Sequence, residues 1–518
     1  MPHLLSVLWL CPLLAALLIR ALVIRRPTFA SWLSLAATAV VLIAAVPLWS
    51  GYNPKDPELQ FVERIASSSV GYVVGADGVS VLLILIVAIT GVAIALASIG
   101  ATVSHGAKGC ASFLTTEAAI LGLLMAHDLV LFCGCWALLL GAVATLGGPP
   151  DRRVRRLAVA STIAMAIGAV AAASGALTPV GRMTFDLDVL QTISTPSSWQ
   201  ALGFVAWIVG VVLVVPVFLL SHRADVMSPW SVFSVALLVA APFSVMRVAL
   251  PIFPVVSKVA SPLVLGVLAI GIVGAAVAAV MQRELDRMSA WLGVSQTAML
   301  VAGLFALTPD ALSGAVVHQM GLLLGMTALL LVAGASRRAS ADAVANRSAW
   351  RPTAIAALCL LALIVVVNGV GGFPGPRMLM NGAAERSSLW AVVMACGALC
   401  GLAVGVQFMR IGLATRSFAH TRAIGSGVWA GVLMLAAAGL VAMSHARVAE
   451  QLNVPALKVA SRIDARYTNA FEAACDTTVT DEMKAANPAN QFLAAAPCGP
   501  NGEPLTGSSV VSPVDTSR

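Results

Sequence analysis

Long apolar runs alternate with short polar loops along the first 445 residues of the chain. A membrane-spanning helix needs about 20 apolar residues to cross roughly 30 Å of hydrocarbon, and most of these runs have about that length. The first run lacks a basic leader and a clean cleavage site, so we expect a retained helix rather than a signal peptide. The pattern predicts fourteen membrane helices, near residues 4–24, 30–49, 78–100, 111–128, 129–147, 156–176, 203–221, 231–250, 258–280, 288–307, 312–335, 353–371, 389–410 and 426–445.

The basic residues of the loops predict the orientation of these helices. Loops that follow odd-numbered runs hold 18 Lys and Arg residues, whereas loops that follow even-numbered runs hold 7 before the C-terminal tail. Cytoplasmic loops of membrane proteins carry the excess of positive charge. We therefore expect a multi-pass protein of a bacterial inner membrane with both termini on the non-cytoplasmic side.

The composition excludes several classes of protein. Only 10% of the residues are charged and 59% are hydrophobic, whereas soluble domains carry about 25% charged residues. A soluble enzyme, a nucleic-acid-binding protein and a disordered chain are excluded as the main body. The net charge of +8 is explained by the cytoplasmic loops, so we expect the lipid bilayer, and no nucleic acid, as a partner.

The composition changes after the last apolar run. Residues 1–445 form the predicted membrane domain, and residues 446–518 form a polar C-terminal extension. Helical spacing of apolar residues predicts a surface helix over about 448–473, followed by a disordered tail. Cys475 and Cys498 lie beyond the membrane region, in the compartment that the orientation makes oxidising. We predict a disulfide between them, with two unpaired thiols as the alternative.

The chain lacks the local motifs of soluble active sites. There is no HExxH, no GxSxG on a strand, no phosphate-binding loop and no pair of CxxC motifs, so we expect no catalytic, cofactor or metal site of its own. Ionisable residues inside a membrane domain are functional candidates by default. The candidates for a proton path are Glu117, His127, Asp128, His222, Asp286 and His318.

Each candidate also has a structural interpretation. Glu117 and Asp128 are eleven residues apart, so they share a face if one helix is continuous between them. The three histidines fit loop or helix-end positions, and Asp286 fits a helix end where Arg283 and Arg287 would pair with it. For Glu117, proton transfer and hydrogen bonding between helices are equally good explanations.

Several segments, taken in order, resemble one family of membrane subunits. YVVGADGVSVLL at 72–83 resembles the entry to the third helix of the antiporter-like subunits of respiratory complex I. Residues 117–136 are similar to the fourth and fifth helices of subunit M, which is subunit 4 in mitochondria. Further similarities are SVMRVALPIFP at 244–254, QRELDRMSAWLGVS at 282–295 and FPGPRMLMNG at 373–382.

The resemblance implies a fold and a function. The fold would be an all-α antiporter-like bundle of about fourteen helices with two inverted five-helix repeats. The chain would be a membrane-arm subunit of a proton-translocating NADH:quinone oxidoreductase, with other membrane-arm subunits as partners. NADH, flavin, iron–sulfur clusters and quinone would be bound by partner subunits and not by this chain.

The chain departs from the family at the residues that relay protons. Family members use buried glutamate, lysine and histidine, and the resemblance leaves Glu117 as the surviving glutamate. The remaining relay positions hold Ala137, Val214, Val239, Gln296, Leu322 and Pro376, and a lysine is replaced by Asp286. We therefore predict a degenerate subunit that does not pump. The alternatives are an active ion transporter, of the Mrp-antiporter or proton-coupled uptake type, and a stand-alone membrane scaffold.

Overall fold

The protein is a multi-pass membrane protein made almost wholly of helices. A computed structural model describes residues 3–23, 26–56, 59–65, 71–99, 106–148, 151–193, 195–221, 229–342 and 375–414, with Val448 and Leu452. Within these ranges, eleven helices are long and apolar enough to cross a membrane, and Leu129–Thr145 is a shorter apolar helix. Twelve of the fourteen predicted runs are thereby confirmed as helices. The runs at 353–371 and 426–445 lie outside the described residues.

The helices follow one another with short connections. The first half of the chain contains α1 (Leu4–Leu18), α2 (Pro27–Gly51), β1 (Gln60–Ile65), β2 (Tyr72–Ala76), α3 (Gly78–Ser98), α4 (Gly106–Met125), α5 (Leu129–Thr145), α6 (Arg152–Gly175), α7 (Leu177–Val180), α8 (Leu187–Thr192), α9 (Ser197–Val212) and α10 (Val214–Ser221). The second half contains α11 (Ala236–Ser244), α12 (Leu250–Ile252), α13 (Pro254–Val280), α14 (Leu285–Ala306), α15 (Pro309–Asp342), α16 (Gly375–Arg386) and α17 (Ser388–Ala414).

Aspartates start four of these helices. The Asp77 carboxylate accepts from the Ser80 N–H at 2.8 Å, and the Asp128 carboxylate accepts from the Val130 N–H at 2.8 Å. Asp151 and Asp186 cap α6 and α8 in the same way. An N-cap carboxylate satisfies backbone N–H groups that the first turn leaves without partners.

The helices form a buried centre with a lipid-facing periphery. α3, α4, α14, the first two thirds of α15 and the segment Trp230–Ile252 are mostly buried in the protein. α1, α2, α13 and α17 expose large apolar side chains such as Ile43, Leu263 and Leu399. Side chains of this kind are solvated by hydrocarbon in a membrane protein, so the outer helices face lipid.

Two membrane segments are interrupted. The seventh run divides at Leu213 into α9 and α10. The eighth run contains a 3₁₀ segment at Pro229–Val235 and a π segment at Val245–Ala249 around α11. Non-helical backbone at membrane depth is tolerated where protein surrounds it, and π segments are frequent at functional positions.

A small β-hairpin, which the sequence patterns did not predict, lies between α2 and α3. β1 and β2 pair antiparallel, with Ile65 opposite Tyr72. The Glu63 carboxylate accepts from the Leu5 N–H at 2.7 Å, so it caps the start of α1. The hydroxyl of Ser6 donates to the same carboxylate and contacts the Tyr72 hydroxyl at 2.7 Å. The hairpin is thus held on α1 by buried polar contacts.

The loops that follow even-numbered runs meet at one end of the molecule. Val74 pairs with Ala126, and Asp128 pairs with Asp186, as isolated antiparallel bridges. The Gln191 side chain donates to the Arg247 carbonyl at 3.0 Å. The ends of the second, fourth, sixth and eighth runs are therefore in contact, as expected when consecutive spans alternate in direction.

The structure corrects the expectation that Glu117 and Asp128 share a helical face. α4 ends at Met125 and α5 begins at Leu129, so no helix is continuous between the two carboxylates. The helix breaks because the backbone of His127 bonds to Val73 and Leu187 instead. Asp128 is the cap of α5 rather than a neighbour of Glu117.

The predicted C-terminal domain lies almost wholly outside the described residues. Of the predicted surface helix over 448–473, only Val448 and Leu452 are described, and both are helical and buried in the apolar core. Cys475, Cys498 and the tail that contains them lie outside the described ranges.

Candidate functional site

A polar cluster closes the end of the molecule where the even-numbered loops meet. Arg247, in the π segment after α11, places Nη1 2.5 Å from Oδ2 of Asp77, the cap of α3. Its Nη2 lies 2.8 Å from Nε2 of His127 and 3.4 Å from the Ser80 hydroxyl. The Ser80 hydroxyl in turn donates to the Leu124 carbonyl at 2.7 Å. One guanidinium therefore joins three separate elements of the fold.

His127 is held as a neutral ring within this cluster. The guanidinium of Arg247 can only donate, so Nε2 of His127 accepts and Nδ1 carries the proton. That Nδ1 lies 3.5 Å from Oδ1 of Asp188 on α8. Burial, and next the positive charge of Arg247, lower the pKa of His127, although Asp188 and Asp77 act in the opposite direction.

The two capping aspartates of the cluster differ in their electrostatics. Burial disfavours the charged form of Asp77, but the adjacent Arg247 guanidinium and the hydrogen bond from the Ser80 N–H lower its pKa overall. Burial raises the pKa of Asp128, and three backbone N–H groups oppose that shift in part. Asp77 is thus a committed anion paired with a committed cation.

The cluster is suited to holding helix ends together and not to moving protons. A guanidinium stays protonated at any accessible pH, and its charge is matched by Asp77 at contact distance. Sequence reasoning named His127 and Asp128 as candidates but missed Asp77 and Arg247. The signal was present, because both residues lie in segments that carry the family resemblance, at 72–83 and 244–254.

Glu117 lies deep in α4 and points at α3. Its side chain is fully buried, and neither carboxylate oxygen has a hydrogen-bond partner among the described residues. The carboxylate contacts the backbone of α3 at Gly91 so closely that a Cβ on that glycine would overlap Oε1. A buried polar group without a partner is costly, so this carboxyl group is a site that needs a proton, a water molecule or a ligand.

A second group of buried polar side chains lies between α14, α15 and α11. The His318 ring is hydrogen-bonded to the backbone of Gln296, and its Nε2 has no partner in the described structure. Both polar atoms of the Gln296 amide are likewise without partners there. The Gln319 amide donates to the Val239 carbonyl at 2.6 Å.

The position of His318 corrects the expectation of a helix-end histidine. α15 begins at Pro309, so His318 is nine residues inside the helix, about 13 Å from its start, and it is buried. The predicted apolar run began only at residue 312, which placed the histidine too near the end. It lies one helical turn before Leu322, a position where the family would have a histidine.

The positions of the lost relay are inside the protein, but their side chains do not titrate. Val214 follows the break between α9 and α10, and Val239 lies in α11, and both are buried. Ala137 in α5 is partly exposed. Gln296, Leu322 and Pro376 are buried in α14, α15 and α16.

The remaining candidates are separate from both polar groups. Asp286 is buried in the first turn of α14, while its neighbour Arg287 contacts Glu284 at 2.7 Å. His222 lies outside the described residues. Within the described ranges, no group of three or more His, Cys, Asp and Glu side chains has the arrangement of a metal site.

Comparisons with known proteins agree with this architecture. Residues 177–401 match the family described as "NADH:quinone oxidoreductase/Mrp antiporter, TM". The chain is 26% identical over 349 residues to NADH-quinone oxidoreductase subunit M of Rhodobacter capsulatus, which covers 62% of this chain and 67% of that protein. The resemblance to subunit M is confirmed.

Solved structures extend the agreement with subunit M to the fold as a whole. A chain of respiratory complex I from Thermus thermophilus superimposes with a TM-score of 0.75 at 18% identity, over 89% of this chain and 99% of that one. A chain of the Mrp complex from a Dietzia species gives a TM-score of 0.65 at 14% identity, over 90% and 99% of the two chains. The expected antiporter-like fold is therefore also confirmed.

Proposed function

We propose that this chain is a membrane-arm subunit of a complex I-like NADH:quinone oxidoreductase and that it does not itself pump protons. Support for the first part comes from the similarity to subunit M along most of the chain and from the antiporter-like fold. NADH, flavin, iron–sulfur clusters and quinone would be bound by partner subunits of the assembly. The other membrane-arm subunits would be its protein partners.

The observation that carries the second part is the chemistry of the relay positions. Val214, Val239 and Leu322 are buried among helices of the antiporter fold and hold side chains that cannot bind a proton. Gln296 is buried and does not titrate at accessible pH. Proton hops need neighbours or water within hydrogen-bond reach, and a single carboxyl group at Glu117 does not extend across about 30 Å of hydrocarbon.

Energetics explain why the relay would be lost as a set. An ionisable side chain at the centre of a membrane helix costs about 2.5–3.5 kcal/mol on insertion scales. If the path no longer carried protons, each such residue would reduce stability without benefit. Replacement by Val, Ala and Leu is the outcome expected from selection on stability alone.

The proposed test separates assembly from pumping. In membranes that contain the assembled complex, Glu117→Gln should leave NADH-driven proton translocation nearly unchanged, whereas deletion of the whole subunit should impair assembly. The matched control is the same exchange at the corresponding glutamate of an intact antiporter-like subunit, where pumping should fall. Loss of pumping in Glu117→Gln with normal assembly would contradict the proposal.

Active ion transport is the second candidate function. It is favoured by the buried polar atoms of Glu117, Gln296 and His318 that have no partner in the described residues, since such groups attract water. Proteoliposomes that contain the purified chain alone would reveal it as sodium- or proton-dependent dissipation of an imposed pH gradient. If the chain instead purifies without any respiratory subunit and carries no flux, the scaffold alternative is the better account.

We propose that the cluster end of the molecule is non-cytoplasmic, as are both termini. The loops gathered there follow even-numbered runs, which carry the smaller share of the basic residues, in accord with the positive-inside rule. A reporter that is active only in the cytoplasm, fused at Arg518, should remain inactive. An active fusion would refute the orientation.

A further inference from the structure

A cavity opens at the opposite end of the molecule, where α6, α10 and α14 meet. Its volume is about 750 Å³, and it is open on one side. Three arginines, Arg153, Arg156 and Arg287, line it together with apolar side chains that include Leu157, Leu220 and Trp291. Positive groups thus lie beside an apolar wall in one concave site.

The electrostatics of the cavity favour an anion. α6 begins at Arg152 and α14 begins at Leu285, so two helix N-termini, which are the positive ends of their dipoles, lie at this site. The segments 151–156 and 283–287 contain six arginines and three acidic residues. Two of those acidic residues are engaged locally, since Asp151 caps α6 and Glu284 contacts Nε of Arg287 at 2.7 Å.

The surroundings distinguish a lipid from a free anion. The outer face of α6 just beyond the cavity exposes Val159 and Ile163, which are 52% and 54% accessible. Exposed aliphatic side chains on a membrane helix contact acyl chains. An anion held by the arginines would therefore lie at the head-group level, with an apolar path leading from it into the bilayer.

We propose that this cavity binds an anionic phospholipid, with its phosphate against Arg153 and Arg156 and its acyl chains along Leu157 and the exposed face of α6. Basic pockets between membrane helices are known to hold anionic head groups, and each basic residue near the surface contributes about fivefold to the binding constant. The site is independent of the relay positions, so the proposal does not depend on whether the chain pumps.

The test measures lipid binding to the purified full-length chain in detergent by native mass spectrometry. Phosphatidylglycerol should bind at least tenfold more tightly than phosphatidylcholine with the same acyl chains. Arg153→Gln with Arg156→Gln should reduce that preference at least fivefold. The matched control is Arg152→Gln with Arg155→Gln, which removes the same charge from the same turns at positions that do not line the cavity, and it should change the preference less than twofold.

Two further measurements make the result decisive. Leu220→Trp fills the cavity without changing charge, and it should weaken phosphatidylglycerol binding by a similar factor, so the test survives if the double arginine variant does not fold. Glycerol phosphate, which has the head group without acyl chains, should not compete at millimolar concentration. Equal losses in the two arginine pairs, or full competition by glycerol phosphate, would overturn the proposal.

Discussion

Removal of the ion pair between Asp77 and Arg247 should destabilise the protein through the cluster end. The two side chains are 23% and 12% exposed, and their charged atoms are 2.5 Å apart. At that distance the gross Coulomb attraction is about 6–7 kcal/mol for an effective dielectric constant of roughly 20. Desolvation offsets much of it, so we expect a net coupling energy of about 2–3 kcal/mol.

The variants Asp77→Asn and Arg247→Gln, alone and together, measure this coupling as a double-mutant cycle. Asparagine is as good an N-cap as aspartate, so the exchange removes the charge and keeps the start of α3. Each single variant should lower the free energy of unfolding by about 3 kcal/mol, because it leaves one buried charge unpaired. The double variant should cost about 2 kcal/mol less than the sum.

Unfolding in mixed micelles of increasing SDS content, followed by tryptophan fluorescence, gives the required free energies. The matched control is the pair Arg64–Asp186, whose charged atoms are 3.6 Å apart with Arg64 50% exposed. Asp186 also caps a helix, so Asp186→Asn with Arg64→Gln repeats the design at an exposed pair, where coupling should stay below about 1 kcal/mol. A coupling at Asp77–Arg247 no larger than that of the control would refute the reasoning.

Three further predictions concern other parts of the molecule. The pKa of His127 is lowered by burial and by Arg247, so the unfolded chain binds a proton that the folded chain excludes; stability should fall as pH drops below about 6.5, by at most about 1.4 kcal/mol per pH unit, and His127→Gln should remove that slope. Gly382→Ala would press a Cβ against the backbone N of Ala311 and the Thr308 hydroxyl, which should cost about 1–3 kcal/mol in SDS unfolding. Gly266→Ala, where nothing lies within 4 Å, should be neutral or stabilising by up to about 1 kcal/mol, and equal effects at the two glycines would contradict the packing. Cys475 and Cys498 should form a disulfide, worth about 3 kcal/mol to the tail in the chain-entropy model; non-reducing peptide mapping that finds both thiols free would disprove it.

The helices were predictable because the bilayer imposes a length and a composition on every span. The interruption between Met125 and Leu129 was visible as three residues between two runs, but its consequence was not. Whether His127 and Asp128 continue a helix or cap the next depends on backbone partners from β2 and the loop before α8, which lie about 50 residues away on either side along the chain. Local periodicity contains no information about such contacts.

The candidate site was predictable in its residue types and not in its pairings. His127 and Asp128 were found because ionisable residues are rare in a membrane domain. Asp77 and Arg247 were missed because each looks ordinary alone, as a helix cap and as a basic residue near a loop. Their importance comes from a contact across 170 residues of sequence, which only the packing of α3 against the eighth run creates.

The link between Asp77 and Arg247 has a consequence for biogenesis. Spans enter the membrane in order during synthesis, so Asp77 is inserted long before its cation has been translated. Until the eighth run arrives, α3 carries an aspartate whose charge only water or lipid head groups can balance. Chains truncated between α6 and α10 should therefore be selectively degraded or retained by insertion chaperones, and release should coincide with synthesis of Arg247. The ion pair would thus act as a completion signal for the first eight spans.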